Sequence, residues 1–267
     1  MTRNSTSDLL DELGLMAGAA DAARDIALSY FRRPIHVEDK EDKSPVTVAD
    51  RSIEAMLRGR IAERFPEDGI FGEEEAPRNL ESPRVWIVDP IDGTKSFVTG
   101  HPLFGCLMAL LDGGTPVLGQ IDMAVLNERW QGARGRPSTF NGQECRTRDC
   151  TALKDAWIYT TNPFAFPGAS RAAFEAVAEQ ARLTRYGGDC YNYGLLASGH
   201  CDLVVETGLQ PFDFLPLVQV VQGAGGVITD WDGRPLGLTS AGDVIAAATP
   251  ALHEAALKHL AGQAPHA

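Results

Sequence analysis

The segment Asp89-Pro90-Ile91-Asp92-Gly93-Thr94 holds two carboxylates three residues apart behind an unbroken apolar run at 85–88. Such a run reads as a strand buried on both faces, with Asp89 expected at its end and Asp92 in the following loop. Pro90 fixes its own φ and stiffens the loop, and Gly93 lets the backbone approach a ligand closely. Two acids held rigidly together repel one another. A divalent metal between them is the simplest remedy. Glu73 and Glu74 lie about one strand pair upstream. Carboxylates gathered from strand ends and a loop are the oxygen donors that magnesium takes, with waters and a substrate phosphate completing the shell. Alone, residues 73–75 read as well as a solvated acidic turn; beside the Asp89/Asp92 loop the metal reading is preferred.

Regular elements must hold these acids in place. Apolar residues at helical spacing predict a helix over 7–31, closed by Pro34, and a second from Thr47 to before Phe65-Pro66. A brief strand at 70–72 runs into the acidic turn. Strands are expected at 104–111 and 116–125, joined by a hairpin turn at Asp112-Gly113-Gly114, and again at 128–132. Residues 134–141 read as a turn. The second half alternates strand and helix: strands at 156–160, 183–186, 201–206, 227–229 and 244–248; helices at 170–181, 189–197, 213–222 and 250–260. This predicts an α/β subdomain (146–267) behind an α+β one (1–145).

At 267 residues, 44% hydrophobic and 22% charged, the composition is that of a soluble globular protein with a real core. A net charge of −12 argues against nucleic-acid or anionic-membrane partners, which need a basic footprint. It admits a phosphorylated small molecule if metal ions neutralise the site. The five cysteines show no CxxC spacing, and no apolar run approaches a membrane span. A reducing cytoplasmic setting is the expectation.

Taken together, Gly72-Glu73-Glu74, the Asp89–Thr94 hexapeptide, residues 45–50 (Pro-Val-Thr-Val-Ala-Asp) and Asp213 before Gly225-Gly226 resemble the inositol monophosphatase superfamily. The likeness spans nearly the whole chain. It implies a layered α/β/α/β/α sandwich, a homodimer, and a phosphomonoesterase using two or three Mg2+ per site. By that resemblance Glu73, Asp89 and the Ile91 carbonyl hold a first magnesium, and Asp89, Asp92 and Asp213 a second. Glu74 would lie just outside, and Asp50 with Thr94 would orient the attacking water. The Gly93 and Thr94 amides would cradle the phosphate. Two metals about 3.5–4 Å apart can activate water and stabilise the leaving oxygen in an in-line displacement; Glu73 or the Thr94–Asp50 pair would accept the proton. The loop also admits a rival, an aspartyl-phosphate phosphatase of the haloacid-dehalogenase type, but that motif spaces its acids by two residues and usually sits at the first strand.

Within the superfamily, residues 92–100, 186–191 and 206–213 are most similar to bacterial histidinol-phosphate phosphatases. Glu206, Asp189 and Asn192 are then the substrate-side residues: two acids suit a protonated amine and an imidazole better than a polyol. Asp189 has a plainer reading as the cap of the helix near Tyr191. Inositol or sugar monophosphates are the alternative substrates. Lys43 reads equally as a phosphate contact and as a solvated lysine. His101 reads as a turn residue, His200 as packing, and the glycines at 223–226 as a helix C-cap.

Overall fold

The computed structural model describes residues 9–39 and 45–265. Lys43 and the expected helix start at residue 7 lie outside them. The chain runs α1 (Leu10–Tyr30), β1 (Val37–Asp39), β2 (Pro45–Thr47), α2 (Val48–Arg64), β3 (Gly69–Gly72), β4 (Arg84–Asp92), α3 (Thr94–Val98), β5 (Gly105–Asp112), β6 (Thr115–Met123) and β7 (Glu128–Ala133). Two short strands follow, β8 (Thr139–Phe140) and β9 (Gln143–Glu144), where the sequence suggested only a turn. Then come β10 (Trp157–Thr160), α4 (Ala169–Ala178), β11 (Leu183–Tyr186), α5 (Tyr191–Ala197), β12 (Leu203–Glu206), α6 (Pro211–Gly223), β13 (Val227–Asp230), β14 (Val244–Ala247) and α7 (Pro250–Leu260).

Strands β3 to β9 form a seven-stranded sheet in chain order, and a five-stranded sheet runs β11-β10-β12-β14-β13. Helices α1 and α2 cover one face of the larger sheet, burying Met16, Ala19, Ile53, Leu57 and Ile61 against Trp86, Val88 and Met108. Its other face meets α5 and α6, whose far side packs on the smaller sheet. Helices α4 and α7 close the outer face around Phe166, Phe174 and Trp231. The layers are therefore α/β/α/β/α, as the resemblance implied.

Local chemistry explains these elements. In α2, Ala49, Ile53, Leu57 and Ile61 recur every four residues on one fully buried face. Thr47 caps the helix, and the Asp50 carboxylate accepts the Thr47 amide in return, a capping box. The β5–β6 hairpin turns through Gly113 and Gly114 at φ +55° and +77°, the left-handed conformations that a two-residue turn requires.

One close approach fixes the middle layer. Gly119 and Gly132 are cross-strand partners on β6 and β7. A side chain on either would run into the α6 backbone, at the Pro216 and Gln219 carbonyls respectively. This notch lets α6 lie directly on the sheet.

Candidate active site

Strand β4 does not stop at Asp89. It continues to Asp92, pairing Asp89 with Leu107 and then Asp92 with Gly105 across a register shift. Pro90 and Ile91 of β4 thus oppose Cys106 alone on β5, which is a bulge. The expected strand end is corrected accordingly: Pro90 has no N–H to give a ladder, and the bulge absorbs it without ending the strand. In a regular strand, side chains three apart point to opposite faces; the extra residue brings Asp89 and Asp92 to the same side. There they meet Asp213, and one oxygen from each lies within 4.8 Å of the other two.

Asp213 sits in the first turn of α6, where one of its oxygens accepts the Gln210 amide at 2.7 Å. Cap and glycine notch together set where its carboxylate stands. Asp92 accepts the Cys190 amide at 2.7 Å, which ties β4 to the start of α5. Sequence reading missed this backbone donor, because nothing in a cysteine's type announces a bond made by its amide.

Glu73 follows Gly72, whose parallel partner on β4 is Val88, so Glu73 continues beside Asp89. Its charge acts on Asp50, Asp89, Asp92 and Asp213. The Ile91 amide donates to Asp89 Oδ1 at 3.0 Å, and the Ile91 carbonyl accepts the Thr94 hydroxyl at 3.0 Å. Of the Asp50–Thr94 pair that the resemblance implies, the Thr94 hydroxyl turns to the Ile91 carbonyl and Asp50 Oδ2 accepts the amide and hydroxyl of Thr47. Asp50 Oδ1 is buried without a hydrogen-bond partner. Gly93, at φ +83°, leads into α3, so the Gly93 and Thr94 amides stand at a helix start, where N–H groups have no partner inside the helix.

The acids strain one another. Burial pushes Asp89 well above the usual carboxylate range, and Glu73, Asp92 and Asp213 push it further. Asp92 is raised to about 7 by burial and then by Asp189. Asp213 is driven up by burial and by Asp92. Asp50 is raised by burial, against the hydrogen bonds from Thr47. Among the described residues no Lys or Arg forms an ion pair with Asp89, Asp92 or Asp213. A convergent set of oxygens, mutually repelling and with a further buried oxygen unpartnered beside it, fits a hard divalent cation. With no thiolate or imidazole in the set, magnesium suits it better than zinc.

Asp189 stands at φ +47° after Gly187 and Gly188, with Ser96 Oγ 3.3 Å from its Oδ2. Its side chain does not cap α5, which settles the plainer reading against that role. A Cβ on Gly93 would lie 3.0 Å from Asp189 Oδ2, so the carboxylate rests directly against the β4–α3 loop. Burial raises Asp189, opposed by Ser96, Lys95 and His101. Glu206 is buried on β12, with Thr160 Oγ1 at 3.1 Å and the Thr161 amide at 2.7 Å on its two oxygens; burial lifts it to about 7. Asn192 is buried too, and its amide nitrogen donates to the Gly187 carbonyl at 3.1 Å. It locks the loop that carries Asp189. The Tyr193 hydroxyl, which no sequence motif singles out, is buried and unpartnered, and it feels the charges of Glu206, Asp92 and Asp213.

A five-layer sandwich with an all-carboxylate cluster on a bulged strand defines a metal-dependent phosphatase class. The chain belongs to the inositol monophosphatase family, whose profile matches residues 11–263. It is 44% identical over 261 residues to the bifunctional phosphatase IMPL2, chloroplastic, of Arabidopsis thaliana, covering 94% of this chain and 75% of that one. It is 36% identical to the histidinol-phosphatase of Chlorobaculum parvum, over 84% of this chain and 87% of that one. The solved inositol monophosphatase from Zymomonas mobilis superposes with a TM-score of 0.87 at 45% identity, covering 96% and 99% of the two chains. The protein is thus a phosphatase of a metal-dependent family, typically served by Mg2+.

Proposed function

We propose that the protein hydrolyses L-histidinol phosphate to L-histidinol and phosphate with Mg2+ in the acid cluster. The observation that carries this reading is Asp189, whose carboxylate stands against Gly93 at the edge of the cluster. Glu206 adds a second acid, one that feels the charge of Asp189, on the side the leaving group would occupy. An aminoalcohol with an imidazole brings positive charge and N–H donors to such a wall; a polyol brings only hydroxyls. The histidinol-phosphatase relatives support the same choice.

Asp89, Asp92, Asp213 and Glu73 would hold the metal, which when bound supplies charge neutralisation and a reactive water nucleophile. The protein's own groups do the rest. The α3 amides of Gly93 and Thr94 bind phosphate oxygens. Asp50 Oδ1, buried and without a hydrogen-bond partner, would accept the proton of the attacking water. Asp189 Oδ2 holds the substrate's cationic end and so orients the ester.

Initial rates on histidinol phosphate and on inositol 1-phosphate with saturating Mg2+ test the proposal. Histidinol phosphate should be turned over with the higher kcat/KM, and equal or better use of inositol phosphate would sink the reading. Asp189→Ala should lower kcat/KM on histidinol phosphate by about 10–100-fold more than on a plain aryl phosphate. Equal losses would assign Asp189 a structural role. The second reading, an inositol monophosphatase, is favoured by the Zymomonas mobilis relative.

A further inference from the structure

Glu54, on α2, is fully buried and lies outside the acid cluster. Its Oε2 accepts the Glu74 amide at 2.7 Å and its Oε1 the Glu75 amide at 3.1 Å. One turn on, Arg58 Nε donates to the same Oε1 at 2.7 Å. The other two guanidinium nitrogens reach the Glu75 carbonyl at 2.8 Å and the Ala76 carbonyl at 3.2 Å. The acidic turn is therefore gripped twice, its amides by a carboxylate and its carbonyls by a guanidinium. A Cβ on Gly72 would run into Glu54 Oε1, so the glycine at 72 is what lets Glu54 come this close.

The consequence falls on Glu73. Its N-terminal neighbour is fixed by β3–β4 pairing, and its C-terminal neighbour by the Glu54 carboxylate. With both flanks held, the Glu73 Cα has little freedom beside Asp89. A buried carboxylate is unfavourable without partners, but this one is matched by two amides and an arginine. It is an expensive arrangement for a turn that could have been left to water.

We propose that Glu54 and Arg58 are a positioning pair for Glu73, setting the affinity of the acid cluster for Mg2+ rather than the chemical step. This rests on the metal reading of the cluster. Residues that orient a metal's ligands without touching the metal typically change affinity by about 10–100-fold.

Calorimetric titration of the full chain with Mg2+, alongside thermal melts in chelator, tests the pair. Glu54→Gln should weaken Mg2+ binding by about tenfold or more while kcat at saturating Mg2+ stays within a few-fold. Arg58→Lys, which keeps Glu54 but loses the grip on the carbonyls, should weaken binding less. Arg148→Met, which breaks a comparable pair with Asp202 away from the cluster, should lower Tm and leave Mg2+ affinity unchanged. A Glu54→Gln protein that melts lower yet binds Mg2+ like the wild type overturns the proposal. If Glu54→Gln does not fold, wild-type affinity in Arg58→Lys overturns it alone. A wild-type chain that binds no Mg2+ would instead strike down the reading of the cluster, and this inference with it.

Discussion

Two populations of buried acid share this molecule. Asp122, Asp68 and Asp202 are shielded from solvent, and each meets arginine: Asp122 meets Arg24 and Arg129 at 2.7 Å, Asp68 meets Arg84 at 3.1 Å, and Asp202 meets Arg148 Nε at 2.8 Å. Backbone and indole donors finish the work, Trp157 N on Asp202 and Trp86 Nε1 on Asp68. Asp89, Asp92 and Asp213 gather with no arginine paired to them among the described residues, and burial and the charge of neighbouring acids push each of them up. The same residue type serves two ends. Where the chain supplies its own cation, the acid stabilises the fold; where it withholds one, the acid is left to bind an ion from solution.

The sharpest way to break this contrast is to neutralise one member of each set. Asp92→Asn should cost several kcal/mol of transition-state stabilisation, on the order of 10³-fold in rate. In chelator the same variant should melt higher than the wild type, because a repelling charge is gone. Asp202→Asn should do the reverse, losing about 1–3 kcal/mol of stability by leaving Arg148 and the Trp157 amide poorly matched. Activity at saturating Mg2+ should change little. If both variants shift Tm in the same direction in chelator, the two populations are not distinct.

A smaller effect should follow from the scaffold. Gly132→Ala places a methyl against the Gln219 carbonyl of α6, and overpacking of that kind costs about 1–3 kcal/mol. Because α6 carries Asp213, Mg2+ affinity should fall with stability. A loss of Tm with unchanged affinity would separate the notch from the cluster.

The smallest expected effect concerns Glu206, which takes hydrogen bonds but no arginine and so sits between the two populations. Its folded form holds a proton to about pH 7, against an ordinary value of 4.5. The folded state therefore binds more protons than the unfolded chain across that window, and stability falls as pH rises through it. Glu206→Gln should match the wild type near pH 4 and gain on it by pH 8, in melts run with chelator. A pH-independent difference would mean that Glu206 is ionised throughout.

Much of the candidate site was legible in the chain. Asp89 and Asp92 could be named because carboxylates beside a proline and a glycine on a buried strand have few uses, and Asp213 came only with the family resemblance. The hairpin at Gly113-Gly114 and the Thr47 cap were legible for the same reason: local backbone chemistry restricts which residues serve. The bulge was not. Whether Pro90 ends a strand or is absorbed by it depends on what β5 offers opposite, and that is a long-range pairing. Nothing in the chain singles out Glu54, since the amides it accepts lie about twenty residues away.

The sequence by itself determined the strand–helix alternation and the Asp89/Asp92 loop, because periodicity, residue type and local motifs are short-range properties carried in each segment; the resemblance those motifs bear to the family brought the layered class and Asp213. Tertiary structure decided which acids are compensated and which are not. It turned Asp89 and Asp92 to one side, seated α6 in a glycine notch so that Asp213 could join them, and, among the described residues, sent arginines to Asp122, Asp68 and Asp202 but none to the cluster. A carboxylate's role depends on the charge within a few ångströms of it, and that distance is set by the fold.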